Sequence, residues 1–422
     1  MQAKGTLGLI ATNTVAQGDT REVGLDVMVA SGFTITRAIQ SRSWPAASAN
    51  LEYAAVWGTL RNVPDDLTRV ADDIPVGRIS TLLEPTGRVS GIPARLAENA
   101  GIAFIGCYVN GKGFEVPPPV AEGMLVRDSK NSEVLKPFLG GEDVNQVSDL
   151  RAPMWVVDFY PREIDEARRY DEPLAWLEEN VRPHRNALKT KPKLSERWWR
   201  YERDAIALRR ALRGLDHVLV IALVSKTVMP VRVPTGQVFS HALGVFATDD
   251  FSDQAVLSSS LHQLWAITYG SGMRNDPRYT PSDVFETFPR PNSSTSLDAL
   301  GRRLDGTRRE IMLRRGLGLT FLYNLVNDPK VIDVDDADIA EIRAIHAQLD
   351  RAVLDAYGWS DLAPQQGFHE FRKMTRWTLD PATRVEVLDR LLEENQRRTT
   401  FQQRGNSTPC SKTSDIADAL FG

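Results

Sequence analysis

Residues Val256–Pro291, VLSSSLHQLWAITYGSGMRNDPRYTPSDVFETFPRP, join an apolar helical pattern to an unusual polar tail. Leu257, Leu261, Leu264, Trp265 and Thr268 recur at helical spacing, so the first half reads as a buried helix. Gly270 and Gly272 break that pattern, and Arg274, Arg278 and Tyr279 follow in a loop stiffened by Pro281. The expectation is a buried helix that aims two guanidinium groups and a phenol outward, which suits recognition better than catalysis.

Upstream, short strands alternate with helices. His217–Val224 and Met154–Phe159 read as strands, and Ala103–Cys107 and Phe114–Val116 flank Asn110-Gly111-Lys112-Gly113, a hairpin signal. At the N-terminus Leu7–Thr12 is a short apolar run. Arg21–Ala30 reads as a helix, and Ile35–Ile39 and Glu52–Trp57 as two more strands. Strand, helix, strand, strand is the closing half of an α/β sheet. Residues 63–94 are rich in Asp, Pro and Gly and read as a connecting region. Downstream, Leu297, Leu300 and Leu304 begin a helical pattern that Ile339, Ile342, Ile345, Leu349, Val353 and Tyr357 repeat before Gly358 stops it. Val385, Leu388, Leu391 and Leu392 supply a third helix, and the Ser/Thr-rich stretch after Arg398 reads as a loosely ordered tail.

Composition bounds what this architecture can hold. At 422 residues, 42% hydrophobic and 25% charged, the chain has the make-up of a soluble protein of two or three domains. Two cysteines, Cys107 and Cys410, support neither a disulfide framework nor a thiolate metal site, which suits the cytoplasm. No apolar run reaches the length of a membrane span. The six histidines show no paired spacing, so no metal site is expected. There is no Gly-x-Ser-x-Gly elbow, Walker loop or His-Glu-x-x-His, so no catalytic residue is assigned.

A net charge of −4 conceals a local field. Between Arg182 and Arg213 stand eleven Lys or Arg against three acids, with Trp198, Trp199 and Tyr201 among them. Basic residues interleaved with aromatics suit a phosphate-tracking surface, because cations displace condensed counterions and planar rings pack on sugars or bases. A solvated helix face whose tryptophans belong to the core fits the run equally well.

Several blocks together resemble the single-chain restriction and modification enzymes of the MmeI type and related adenine-specific DNA methyltransferases. The blocks are Leu7–Glu22 (LGLIATNTVAQGDTRE), Asn131–Val144 (NSEVLKPFLGGEDV), Trp155–Phe159 (WVVDF), the opening segment with Arg278-Tyr279 and Phe288-Pro289, Leu349–Trp359 (LDRAVLDAYGW) and Arg384–Arg398. They stand in the family's order. The resemblance implies an α+β chain: residues 1–62 as the last strands of a Rossmann-like methyltransferase sheet, 63–94 as the connection, 95–291 as the target recognition domain, 292–398 as a helical C-terminal domain and 399–422 as a flexible tail. It implies an enzyme that, when complete, moves a methyl group from S-adenosylmethionine to the exocyclic amine of adenine in double-stranded DNA.

The departures are as specific as the match. The family's glycine-rich cofactor loop and its Asn-Pro-Pro-aromatic tetrapeptide are absent, and the Pro117-Pro118-Pro119 run has no Asn before it. The chain is expected to start where the family's sheet has already passed those motifs and to bind no cofactor by itself. The reading is therefore the specificity portion of such an enzyme. It stays open whether the chain is a gene fragment or a DNA-specificity subunit working with a separate catalytic methyltransferase chain. By family position Lys226, Thr227 and Arg232 are candidate base readers, since Arg and Lys offer donors to guanine in the major groove. Arg274, Arg278 and Tyr279 are candidate DNA contacts, Arg185, Lys189, Lys191 and Arg200 candidate phosphate contacts, and Asn13, Gln17 and Trp44 candidates for the rim of a target-base pocket. A solvated turn, core packing, structural ion pairs and a strand-end loop explain the same residues.

Overall fold

The computed structural model describes residues 5–406 other than 17, 45–51, 65–66, 87–88, 90, 189–190, 274–275 and 372–373. It separates into two compact units, one of residues 1–92 with 384–393, the other of residues 93–383 with 394–422.

In the first unit a five-stranded sheet is built from β1 (Thr6–Thr12), β2 (Thr34–Ser43), β3 (Glu52–Thr59), β4 (Arg69–Ala71) and β5 (Ile74–Val76), in the order β1-β3-β2-β4-β5. Strand β3 is antiparallel to both neighbours, so β1 and β2 run parallel. The crossover between them is helical, a π-turn Glu22–Asp26 lying between Gly18–Arg21 and Val27–Ala30. Leu25, Phe33, Ile35, Ala38, Ala54, Val56 and Leu83 form its core. Residues 69–76, expected as connection, extend the sheet instead, with β4 parallel to β2.

The second unit is mixed α+β, as expected. One four-stranded sheet runs β11 (Val231–Pro234), β10 (His217–Ala222), β13 (Leu243–Phe246), β6 (Ala103–Ile105), all antiparallel. Its sequence HVLVIA in β10 is continuous and apolar because the strand is buried on both faces. The other sheet runs β12 (Val238–Phe239), β8 (Leu135–Leu139), β9 (Met154–Val157), β7 (Glu115–Val116). The Asn110-Gly111 turn does not close a hairpin: β6 and β7 belong to different sheets. Arg185 explains why, donating to the carbonyls of Val109 (2.8 Å) and Asn110 (3.2 Å) and thereby holding the segment between the two strands.

Helices α1 (Phe251–Ser258), α2 (Ser260–Tyr269), α3 (Thr295–Arg315), α4 (Leu319–Val326), α5 (Ala337–Ala356) and α6 (Pro381–Asn406) complete the described elements used below. Each of α1, α2, α3 and α5 starts on a side-chain cap, from Asp250, Ser259, Ser294 and Asp336 in turn. Gly301 lets α1 and α3 touch, for a Cβ there would sit 2.0 Å from the Phe251 carbonyl oxygen. The helices after residue 292 share a core with the β10 sheet. Ile311 and Met312 of α3, Leu319 and Leu322 of α4 and Ile339 and Ile342 of α5 pack in one cluster with Val218, Val220, Val231 and Val245 of the β10 sheet. A hairpin of β16 (Gln366–Phe371) and β17 (Met374–Leu379) interrupts the helical domain expected from residue 292. Helix α6 continues through residues 399–406, where a loose tail was expected. No described helix is long and apolar enough to cross a membrane.

Asp350 lies at the centre of this packing. Fully buried on α5, it accepts from the Ser260 amide at the start of α2 (2.7 Å) and from Gln366 Nε2 of β16. Burial pushes its carboxyl up to about 6. The folded protein therefore holds that proton more tightly than the unfolded chain, whose carboxyl titrates near its usual value of about 3.9. Its stabilising contribution is full below pH ~3.9 and is lost as the pH rises through about 6. Asp350→Asn should raise stability at pH 8 by the order of 2 kcal/mol and leave it nearly unchanged at pH 4. Urea unfolding at the two pH values measures the difference; an equal effect at both would show that the charge is not what costs.

Candidate nucleic-acid interface

Strand register gathers chemistry at one end of the β10 sheet. Ala222 pairs with Leu243 and Gly244 with Ile105, so the segments after β10, before β13 and after β6 all emerge together. An isolated bridge joins Val224 to Arg278, the last residue of β15 (Asp276–Arg278), which pairs with β14 (Ser271–Met273). Another joins Tyr108 to Arg203. Lys226, Arg278, Arg203 and His241 are all exposed at this end. Tyr108 stands edge-on to His241, with ring centroids 4.5 Å apart, and Arg203 lies over its ring at 5.4 Å. Burial and the Arg203 charge hold the His241 imidazole below its ordinary value. Arg203, Tyr108 and His241 were not singled out from the sequence, where 95 residues separate Tyr108 from Arg203; their pairing is visible only once β6 and the 203 segment cross.

The loop between β10 and β11 is fastened at each step. The Tyr279 amide donates to the Leu223 carbonyl (2.7 Å), Ser225 Oγ meets Asn145 Oδ1 (3.2 Å), and the Thr227 amide donates to Ser225 Oγ (3.1 Å). Arg376 donates to the Lys226 carbonyl (2.8 Å), and Arg308 to that of Pro230 (2.9 Å). Ser225, Thr227, Val228 and Met229 are buried while Lys226 stays exposed, so a rigid loop presents one ammonium. Thr227, 4% exposed, faces inward and is not placed to meet a base. Arg232 is half-buried and occupied: it donates to the Asp249 carbonyl and its guanidinium lies 4.5 Å from the Phe251 ring centroid.

The 256–291 segment turns its phenol inward. Tyr279 is 3% exposed, and its hydroxyl lies 3.0 Å from His262 Nε2 while His262 Nδ1 lies 2.8 Å from the Leu257 carbonyl oxygen. Since the carbonyl can only accept, Nδ1 carries the proton and Nε2 accepts from the phenol. Burial drives the His262 pKa down to about 4 and keeps the ring neutral. Gly270 permits the close approach of this strand, because a Cβ there would lie 2.8 Å from the Arg278 carbonyl oxygen. Of the expected outward groups, Arg278 remains exposed and Tyr279 is core; Arg274 lies outside the described residues.

Two of the candidate phosphate contacts in the basic run, Arg185 and Arg200, are likewise internal. Arg185 is 0% exposed, and its guanidinium also lies 5.3 Å from the Phe114 ring centroid, so no phosphate reaches it without opening the fold. Arg200, 5% exposed, pairs with Asp204 at 2.8 Å and lies over Tyr160. Trp198, Trp199 and Tyr201 are buried in the core of the β8 sheet. Lys191 keeps an exposed side chain, 2.8 Å from Glu202. Lys189 lies outside the described residues. In the first unit, Gln17 and the side chain of Asn13 are also outside them. Trp44 is exposed, edge-on to Tyr53. Tyr53 pairs with Thr12 on one side and Arg42 on the other, so Asn13 and Trp44 follow the carboxyl ends of the two parallel strands at the same end of the sheet.

Residues 109–292 match the family described as MmeI, target recognition domain. That range contains the β8 sheet, nearly all of the β10 sheet, the 223–230 loop and Arg278. Rather less than half of the chain is therefore similar to that target recognition domain. Its fold is similar to a solved structure described as the type IIL restriction-modification enzyme MmeI in complex with DNA, with a TM-score of 0.64 at 17% identity, over 94% of this chain and 50% of that one. This chain thus spans about half the length of that protein. A structure described as the type IIG restriction endonuclease BpuSI aligns at a TM-score of 0.31 and 12% identity, over 85% of this chain and 48% of that one. No curated protein matches the chain.

The inward phenol gives a test. Tyr279→Phe should leave a buried, unpaired ring nitrogen and cost about 1 to 3 kcal/mol of stability. DNA affinity per folded molecule should be unchanged. A loss of affinity at full stability would return Tyr279 to the interface.

Proposed function

We propose that this chain is the DNA-sequence-recognition portion of a site-specific adenine methyltransferase of the restriction-modification type. The observation that carries the reading is the fastened 223–230 loop, which presents Lys226 beside the exposed Arg278 within the matched target recognition domain. A base reader must arrive pre-organised, because ordering a long side chain and its loop on binding costs affinity. Here the main chain is held before DNA arrives. Lys226 offers donors to the acceptor edge of guanine, and Arg278 stands beside it at the same sheet end. Lys191 is the candidate phosphate contact left exposed, and phosphate contacts position the duplex without reading it. Arg203 and His241 widen the same surface.

S-adenosylmethionine would supply the methyl group in the complete enzyme, yet the residues of the first unit do not fit it. The turn leaving β1 is Asn13-Thr14-Val15-Ala16, with no glycine to admit close backbone approach. We assign the cofactor site and the base-holding tetrapeptide to other residues, in a longer chain or a separate catalytic methyltransferase chain. The terminal position of β1 supports this, with Leu9 and Ile10 exposed on it and Val23 and Val27 exposed on the crossover. These apolar groups offer an edge for further strands of a catalytic sheet. Asn13 and Trp44, which follow the carboxyl ends of β1 and β2, would then border a base taken out of the duplex, at the place where parallel strands commonly present their ligands.

Two substitutions separate reading from positioning. Lys226→Ala should relax selectivity at one position of the bound sequence by about 1 to 3 kcal/mol and leave other positions unchanged. Lys191→Ala should weaken all sequences alike and reduce the dependence of affinity on salt by about one ion. Binding selection from randomised duplexes, with salt titration of the selected sites, measures both. Uniform loss in the Lys226 variant would overturn its assignment as a base reader.

A further inference from the structure

The β16–β17 hairpin lies about 150 residues beyond the recognition loop in sequence, yet one of its side chains is bonded to that loop. Arg376, on β17, is 4% exposed and its Nη2 donates to the carbonyl oxygen of Lys226 at 2.8 Å. Burial lowers its guanidinium to about 10. A buried cation is costly, and this one meets main-chain oxygen rather than a carboxylate, so its place is set by the loop it holds.

The hairpin is itself tied down. The Trp377 amide donates to Asn327 Oδ1 (2.9 Å) just after α4, and Phe368 and Trp377 pack edge to face at 5.0 Å. Arg343 of α5 lies 4.8 Å from the Phe368 centroid and 5.3 Å from that of Trp377. Its own guanidinium is fixed by the carbonyls of Val326 (3.0 Å) and Val331 (2.8 Å) and by Asp333 (2.6 Å). A continuous set of contacts therefore runs from α5 through the hairpin to the peptide of Lys226. Among the other fastenings of this loop, Ser225 and Pro230 hold its two ends, whereas Arg376 holds the residue that faces outward.

We propose that Arg376 is a positioning residue for sequence recognition: by fixing the Lys226 peptide, the C-terminal hairpin sets where the Lys226 ammonium meets a base edge. The inference rests on the reading of Lys226 as a base reader. A displaced carbonyl would let the loop tilt, so the ammonium would lose its preferred acceptor while the phosphate contacts elsewhere stayed in place. The effect belongs to one base position and to no other.

The test compares Lys226→Ala, Arg376→Ala and the double variant in the full chain, each selected against a pool of randomised duplexes. Arg376→Ala should relax preference at the same position as Lys226→Ala, by roughly tenfold. The double variant should be no more relaxed than Lys226→Ala alone, because the two act as a unit. Salt dependence should stay at the unsubstituted value in all three. If Arg376→Ala does not fold, Arg376→Lys takes its place, keeping a cation with a shorter reach, and should give an intermediate preference at that position. A changed preference in Lys226→Ala with none in the folded Arg376 variant overturns the positioning role alone. Unchanged preference in Lys226→Ala overturns the base-reading assignment and the positioning role with it. Equal weakening at all positions in the Arg376 variant would mark that residue as structural only.

Discussion

The second unit depends on how one buried turn has its carbonyls satisfied. Residues 284–289 run through the interior, where an unpaired carbonyl costs free energy. Side chains from far along the chain supply the donors. Asn99, fully buried, reaches the carbonyls of Phe285 (3.0 Å) and Phe288 (2.8 Å), and Asn395, also fully buried, reaches that of Thr287 (2.6 Å). Tyr357 donates to the Pro289 carbonyl at 2.8 Å and Arg398 to that of Arg290 at 2.8 Å. Phe285 and Phe288 then anchor aromatic contacts with Phe246, His262 and Trp265. One turn thereby ties the start of this unit, helices α2 and α5 and the end of α6 to the β10 sheet.

That arrangement explains why the neighbouring loops can be both exposed and fixed. Tyr279, four residues before Asp283, is locked to His262 on α2 and to Leu223 in the recognition loop. Order in the core passes outward along main-chain bonds to Arg278 and Lys226. Where cations are buried or half-buried they are paired: Arg209 with Asp158, Arg200 with Asp204 and Arg343 with Asp333.

Much of the architecture was legible where burial imposes a period. The apolar runs of β3 and β10 and the three-and-four spacing in α2, α3 and α5 gave their elements directly, whereas the run of β1, expected as a buried strand, forms a strand that is mostly exposed. Side-chain direction in the polar tail was not legible, because Tyr279 faces inward only through a histidine seventeen residues earlier in the chain. The Asn110-Gly111 signal misled for a related reason: Arg185, a distant side chain, takes the carbonyls that local pairing would have used. The β16–β17 hairpin went unread although its residues alternate, since no Gly, Asn or Asp marks a turn between Phe371 and Met374. Of the candidate site, Lys226 and Arg278 were reachable from family position, while Arg203, Tyr108 and His241 come together only through strand crossing.

The shared core of the β10 sheet and helices α3, α4 and α5 bears on how specificity can change over evolutionary time. A recognition module with its own core can be exchanged whole between relatives. Here a cut near residue 292 would part Val218 and Val231 from Ile311 and Leu322, exposing both halves of one hydrophobic interior. Under the proposed function, a change of specificity would come by substitution at a few outward positions on an unchanged frame.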